Sequence, residues 1–187
     1  MLKKLFYILI LSLTFILTNS KCDNVEPWTW TDKNGAEISF RMGMEKDLSS
    51  AENLFAQSLS WWIKNAFLNV FNEEAKKHFA QTHLICANKN ETLVGFVLFD
   101  KMNNKNEIYL DFFGVDQSCR GSGLGKELIK SICKIYPQAK KITLDSHTSN
   151  PTIKFYKHLG FTTRNEVIKK DSLAKYNISL EILVEKL

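Results

Sequence analysis

Arg120, Gly121, Ser122, Gly123, Leu124, Gly125 and Lys126 form one unbroken run inside the stretch CRGSGLGKELIK, which starts at Cys119. Glycines at alternate positions let a backbone turn tightly and approach a ligand closely, because no Cβ stands in the way. The helical-looking stretch behind them offers amide N–H groups without intrahelical acceptors, at the positive end of its dipole. Arg120 and Lys126 add positive charge on either side. Together these features select the seating of a phosphate or pyrophosphate.

Two familiar nucleotide loops do not fit. A P-loop needs four residues between its first glycine and Gly-Lys, then Ser or Thr, and Lys126 is followed by Glu127. A dinucleotide fingerprint needs its last two glycines three apart, whereas Gly123 and Gly125 are two apart. What remains is Arg-x-x-Gly-x-Gly, filled by Arg120, Gly123 and Gly125 after a strand ending at Val115.

Such a loop needs a strand before it and a helix behind it, and the hydrophobic pattern supplies both. NEIYLDFFGV reads as a strand whose Gly114 marks a bulge or a close backbone approach. From Leu124 the apolar residues Leu128, Ile129, Ile132, Ile135 and Tyr136 fall on one helical face and Lys126, Lys130 and Lys134 on another, ending before Pro137. Upstream, WTWTDKNGAEISFRM alternates on both sides of Asp32-Lys33-Asn34-Gly35 and predicts a hairpin. Asp47 to about Thr82 has helical spacing, as one broken helix or two, and THLICANK with ETLVGFVLFDKM predicts a second hairpin. Downstream come a strand in KKITLDSH, a helix in NPTIKFYKHLG between Pro151 and Gly160, and two strands in FTTRNEVIKK and NISLEILVEKL.

Composition bounds the rest. A chain of 187 residues, 44% hydrophobic and 24% charged, suits one domain of α/β or α+β type. The first residues place Lys3 and Lys4 before an apolar run from Leu5 to Leu17, with cleavage expected after Ser20: an export signal, or alternatively an anchor that associates the chain with a membrane. The run is shorter than the roughly 20 residues of a spanning helix. Losing Lys3 and Lys4 with that segment lowers the +5 formal charge by two, and no basic run marks a nucleic-acid surface. Cys22, Cys86, Cys119 and Cys133 have no close pair, so neither a zinc pattern nor a redox dithiol emerges, and buried free thiols are expected. His78 and His83 read as surface histidines on a helix rather than metal ligands.

In three stretches the chain resembles the GNAT acyltransferase superfamily: ISFRMGMEKDL, with Arg41 and Asp47 six apart, the Arg-x-x-Gly-x-Gly loop, and IKFYKHLGF. They occur in the family's order from Ile38 to about Phe161. One departure is that the position where many members carry Asn falls on Ser149, with Asn150 one residue late. The resemblance implies a mixed, mostly antiparallel central sheet of about six to seven strands flanked by helices, its central strands splayed to admit a cofactor. With the signal peptide or membrane anchor at 1–20, the chain then divides into that leader, an N-terminal extension with a hairpin strand (21–37) and a GNAT-like domain (38–187).

The activity it implies is transfer of an acetyl group from acetyl-coenzyme A to a primary amine, with no metal. A non-catalytic acyl-coenzyme A sensor or interaction module on the same fold is the alternative. The loop from Arg120 to Lys126 would hold the pyrophosphate, and N–H groups of Phe113 and Val115 would meet the pantetheine amide and the thioester oxygen. Tyr156 resembles the family's general acid, and Asp111 is the candidate base or amine-orienting group, against the alternative of a solvent-facing strand carboxylate. Phe155 is expected in the core beside Tyr156.

Overall fold

The computed structural model describes residues 25–58, 83–102, 106–148, 150–164 and 177–187. The leader, residues 59–82 of the long helical stretch with His78 among them, Ser149 and most of FTTRNEVIKK lie outside these residues. Among the described residues no helix is long and apolar enough to cross a membrane.

The chain begins with the expected hairpin, β1 (Trp28–Thr31) and β2 (Glu37–Met42), and Asp32 builds its turn. The Asp32 carboxylate accepts the N–H groups of Asn34 at 2.8 Å and Ala36 at 2.9 Å. Gly35 takes a φ of +81°, which an L side chain rarely adopts. After a short 3-10 turn, α1 (Leu48–Ser58) starts where the apolar spacing starts. Arg41 grips Asp47 at that entry through two hydrogen bonds of 2.8 Å, and Asp47 also accepts the Met44 N–H at 2.8 Å.

The second hairpin is β3 (His83–Lys89) and β4 (Thr92–Met102). Asn90 and Glu91 both have positive φ, the signature of a two-residue turn whose twist matches its strands. β5 (Glu107–Val115) follows, then the glycine loop, α2 (Leu124–Ile135), β6 (Lys141–His147), α3 (Thr152–His158), the two-residue β7 (Thr162–Thr163) and β8 (Asn177–Leu183). Among the described residues the strands form one sheet of eight in the order β1-β2-β3-β4-β5-β6-β8-β7, with β5 and β6 the one parallel neighbour pair. The count exceeds the expected six to seven because the hairpin strand β1 and the short β7 both join the sheet edges.

Helices cover both faces, and β3 shows why. Leu84 and Cys86 pack with Leu48, Ala51 and Leu54 of α1, while Ile85 and Ala87 face the opposite side with Leu128, Ile129 and Ile132 of α2. Period-2 alternation therefore loads both faces with apolar side chains. Each buried Leu or Ile on α2 contributes about 2 kcal/mol of transfer free energy. His83, expected on a helix surface, instead sits half-buried in β3 with the Tyr136 hydroxyl 2.6 Å from its Nε2.

Candidate active site

The site begins where two strands part. β5 and β6 share three backbone pairs, Glu107 with Lys141, Ile108 with Ile142 and Tyr109 with Thr143. Beyond them β6 stays with β8 as far as His147, whereas β5 stays with β4 as far as Val115. A wedge opens between the strands. The Asp116 N–H donates to Val94 C=O at 2.8 Å, and Val115 and Gly114 pair with Gly95 and Phe96. By antiparallel alternation Gly114 then turns its N–H to β4, and Phe113 and Val115 direct theirs into the wedge.

The expected bulge at Gly114 is absent. Gly114 is paired in register, and a Cβ on it would come within 2.6 Å of the Phe96 ring, so its close-approach reading is the one that holds. The bulge falls at Asp111 instead, where Leu98 pairs with Phe112 and Phe99 with Leu110. That extra residue shifts the alternation by one, which lets Ile108, Leu110, Phe113 and Val115 all face α2 while Phe112 packs edge-on against Phe55 of α1. The amides are thus freed by divergence of the strands rather than by a bulge.

On the α2 side the wedge opens into a cleft of about 370 Å³. Phe113 and Val115 form one wall, Pro151, Thr152 and Phe155 of α3 another, and Cys119, Arg120, Gly121 and Gly125 close the end. Phe155, expected in the core, lies in the cleft wall with its ring stacked on Phe113 at 5.6 Å. Gly125 suits this packing, since a Cβ there would lie 3.0 Å from Phe155 Cζ and 3.3 Å from Phe113 Cζ and would press on both rings.

The glycine loop divides its residues by task. Gly121 and Gly123 have φ of +79° and +99°, and open space borders Gly121. Ser122 is buried, its hydroxyl donating to Cys119 C=O at 2.7 Å, and the Leu124 side chain is fully buried in the core. These two shape the loop from behind. Arg120 is exposed and its Nε donates to Val115 C=O at 3.3 Å, which holds the guanidinium by the wedge; Lys126 is exposed on the first turn of α2. The Glu127 N–H closes that turn onto Gly123 C=O, so the amides of Gly125 and Lys126 precede it and have no helical acceptor.

Tyr156 is 5% exposed, ringed by Phe113, Phe155 and Phe161 at centroid distances of 6.2, 5.4 and 5.4 Å. Its hydroxyl has no hydrogen-bond partner among the described residues, and burial drives its pKa well above the ordinary phenol value. Asp111 is half-buried at the bulge. It lies near Tyr109, whose pKa is raised by burial first and then by the charges of Asp145 and Asp111. Tyr109 donates to Asp145 across the parting strands at 3.2 Å, and Ser179 donates to the other carboxylate oxygen. Sequence reasoning passed over Asp145, although alternation in ITLDSH, with Ile142 and Leu144 facing the core, was the available signal. Asn150 is a structural clamp, donating to Ser146 Oγ at 2.9 Å and accepting the Thr152 N–H at 3.0 Å. Among the described residues no three His, Cys, Asp or Glu side chains converge as a metal site would.

A mixed sheet parted between two parallel strands, with a glycine-led helix end at the mouth of the cleft, is the arrangement of a class of acyl-group transferases. The model of the acetyltransferase (GNAT) family matches residues 52–161, and the chain belongs to that family. A 5-NmdU N-acetyltransferase of Pseudomonas phage PaMx11 is 31% identical over 108 residues, which span 57% of this chain and 75% of that protein. The spermine/spermidine N(1)-acetyltransferase of Bacillus subtilis is 30% identical over 86 residues, 40% of this chain and 56% of that enzyme. Among solved structures, the PaiA N-acetyltransferase of Thermoplasma acidophilum in complex with coenzyme A shares the fold, with a TM-score of 0.60, 18% identity and coverage of 77% of this chain and 97% of that one.

Proposed function

We propose that the chain transfers an acetyl group from acetyl-coenzyme A to a primary amine. The observation that carries the reading is the pair of Phe113 and Val115 amides directed into a wedge whose mouth ends at the start of α2. The donor fits the residues present. Gly121 and Gly125 leave room for close approach, the free amides of Gly125 and Lys126 with Arg120 suit a pyrophosphate, and Phe113 and Phe155 supply apolar walls. When bound, the donor supplies a thioester whose carbonyl carbon is the electrophile.

The chain's own groups would then act as follows. An amine attacks only as the free base, and an alkylamine with a pKa near 10.4 is mostly protonated at neutral pH. Asp111, alone or through water, orients the amine and takes its proton. An amide on the wedge side of β5 stabilises the oxyanion as the N–C bond forms. As the C–S bond breaks, the protonated Tyr156 hydroxyl returns a proton to the departing sulfur. Burial keeps that proton in place through neutral pH.

The acceptors of the relatives define the first panel to try, namely spermine, spermidine and 5-NmdU, alongside simple alkylamines. In this reading residues 1–20 are an export signal or anchor and take no part in the chemistry. The test is to incubate the chain with acetyl-coenzyme A and this panel and follow both free thiol and acetylated amine by mass spectrometry. Stoichiometric appearance of both is expected. Coenzyme binding without any amine acetylation would instead favour a binding module.

A further inference from the structure

The turn of the β1–β2 hairpin lies against the glycine loop. The Lys33 N–H donates to Ser122 C=O at 3.3 Å, which among the described residues is the one hydrogen bond reaching residues 121–123 from outside the segment 119–127. The space a Cβ on Gly123 would take is bordered by Trp30, with Cζ2 and Cη2 at 3.6 Å, and by Lys33 Cε at 3.7 Å.

The hairpin is firm enough to act as a prop. Asp32 is 8% exposed and ties its own turn through the two carboxylate hydrogen bonds described above. Trp30 packs edge-on against Phe40 at 6.5 Å, and Trp28 stacks on the same ring at 5.4 Å. Lys134 Nζ, in the last turn of α2, lies 4.3 Å from the Trp28 ring centroid, so the hairpin follows the helix from its first glycine to its end. The match to the family model starts at residue 52, so this hairpin lies outside it.

Two left-handed glycines on either side of Ser122 make residues 121–123 costly to order, since glycine loses the most backbone freedom on being fixed. A ligand that must order such a loop binds more weakly than one that finds it already ordered. We propose that the β1–β2 turn is a strap that pre-orders the coenzyme-binding loop, with Trp30 its positioning residue; this rests on the acetyl-coenzyme A reading of the cleft. Trp30 borders Gly123, and neither residue lines the cleft, so it acts on the loop through Gly123.

The test uses the full chain with Trp30→Phe, which keeps an aromatic ring on Phe40 and removes Cζ2 and Cη2. Trp28→Phe is the control, because Trp28 belongs to the same hairpin and packs at the far end of α2. Amide hydrogen exchange of the 120–126 segment is measured without ligand, and coenzyme A affinity by calorimetry. Trp30→Phe is expected to speed exchange in that segment and raise the Kd about tenfold, with Trp28→Phe leaving both within about twofold. Unchanged exchange in Trp30→Phe, or equal effects from both variants, would overturn the strap. A parent chain that binds no coenzyme A overturns the acetyl-coenzyme A reading, while the exchange measurement still decides the strap.

Discussion

Tyr109 and Thr143 are the last backbone pair that β5 and β6 share, and the Tyr109 hydroxyl still reaches Asp145 one step further on, at 3.2 Å. A side-chain rung therefore spans the strands just where their ladder ends. On one side of that rung the core of α2 closes in, and beyond it the wedge admits a ligand between strands that would otherwise be hydrogen-bonded. We expect Tyr109→Phe and Asp145→Asn each to lower kcat/KM about tenfold, with a smaller effect on stability, measured by steady-state kinetics beside thermal denaturation.

Gly125 separates binding from folding. Alanine in a helix is about 1 kcal/mol better than glycine, yet here its Cβ would push on Phe155 and Phe113 across the cleft wall. Gly125→Ala should keep the melting temperature within a few degrees and weaken coenzyme A binding about tenfold; Gly125→Leu should abolish it. Calorimetry and a thermal scan on the same samples read both effects.

Tyr156→Phe removes a hydroxyl without a hydrogen-bond partner among the described residues, so the fold should lose little. If that hydroxyl is the acid, kcat falls about 100-fold while the coenzyme A Kd holds. A rise in Kd and a loss of stability with unchanged kcat would make Tyr156 a packing residue.

The buried tyrosines also set an alkaline limit. Tyr109 and Tyr156 have folded pKa values above the ordinary value of about 10, so below that pH their contribution to stability is complete. Above it the unfolded chain ionises first, and stability falls as pH climbs toward the folded values. Urea denaturation at rising pH should show this decline, and Tyr156→Phe should reduce it.

Arg41 and Asp47 set the acid side. The Arg41 hydrogen bonds hold the Asp47 carboxyl below its ordinary range, so its contribution is present above about pH 4 and is lost as pH falls through the depressed folded value. Asp47→Asn should cost about 2 kcal/mol at pH 7 and flatten the acid limb of stability against pH. Denaturant titrations of the two proteins at several pH values check this.

The elements around the loop were readable in the sequence because each carries a local signature. Asp32 to Gly35 spells a turn, and Leu124 to Tyr136 repeats at helical spacing, with Gly121 and Gly123 ahead of it. What escaped was non-local. The position of the bulge depends on how β5 must face α2 on both sides of Asp111, which needs the partner strand. Phe155 was expected in the core and Tyr156 at the chemistry, since helical neighbours point about 100° apart; Tyr156 is the buried one, and the stacked Phe113 that makes Phe155 a cleft wall lies some forty residues away in sequence. Asp145 was hidden for the same reason, since its hydroxyl donors come from β5 and β8.

The most direct measurement is calorimetric titration of the chain with coenzyme A, beside ATP and NADH as phosphate-bearing controls. The account expects saturable micromolar binding of coenzyme A and none comparable for the controls. Well-folded protein that binds no coenzyme A, or binds all three alike, would contradict it.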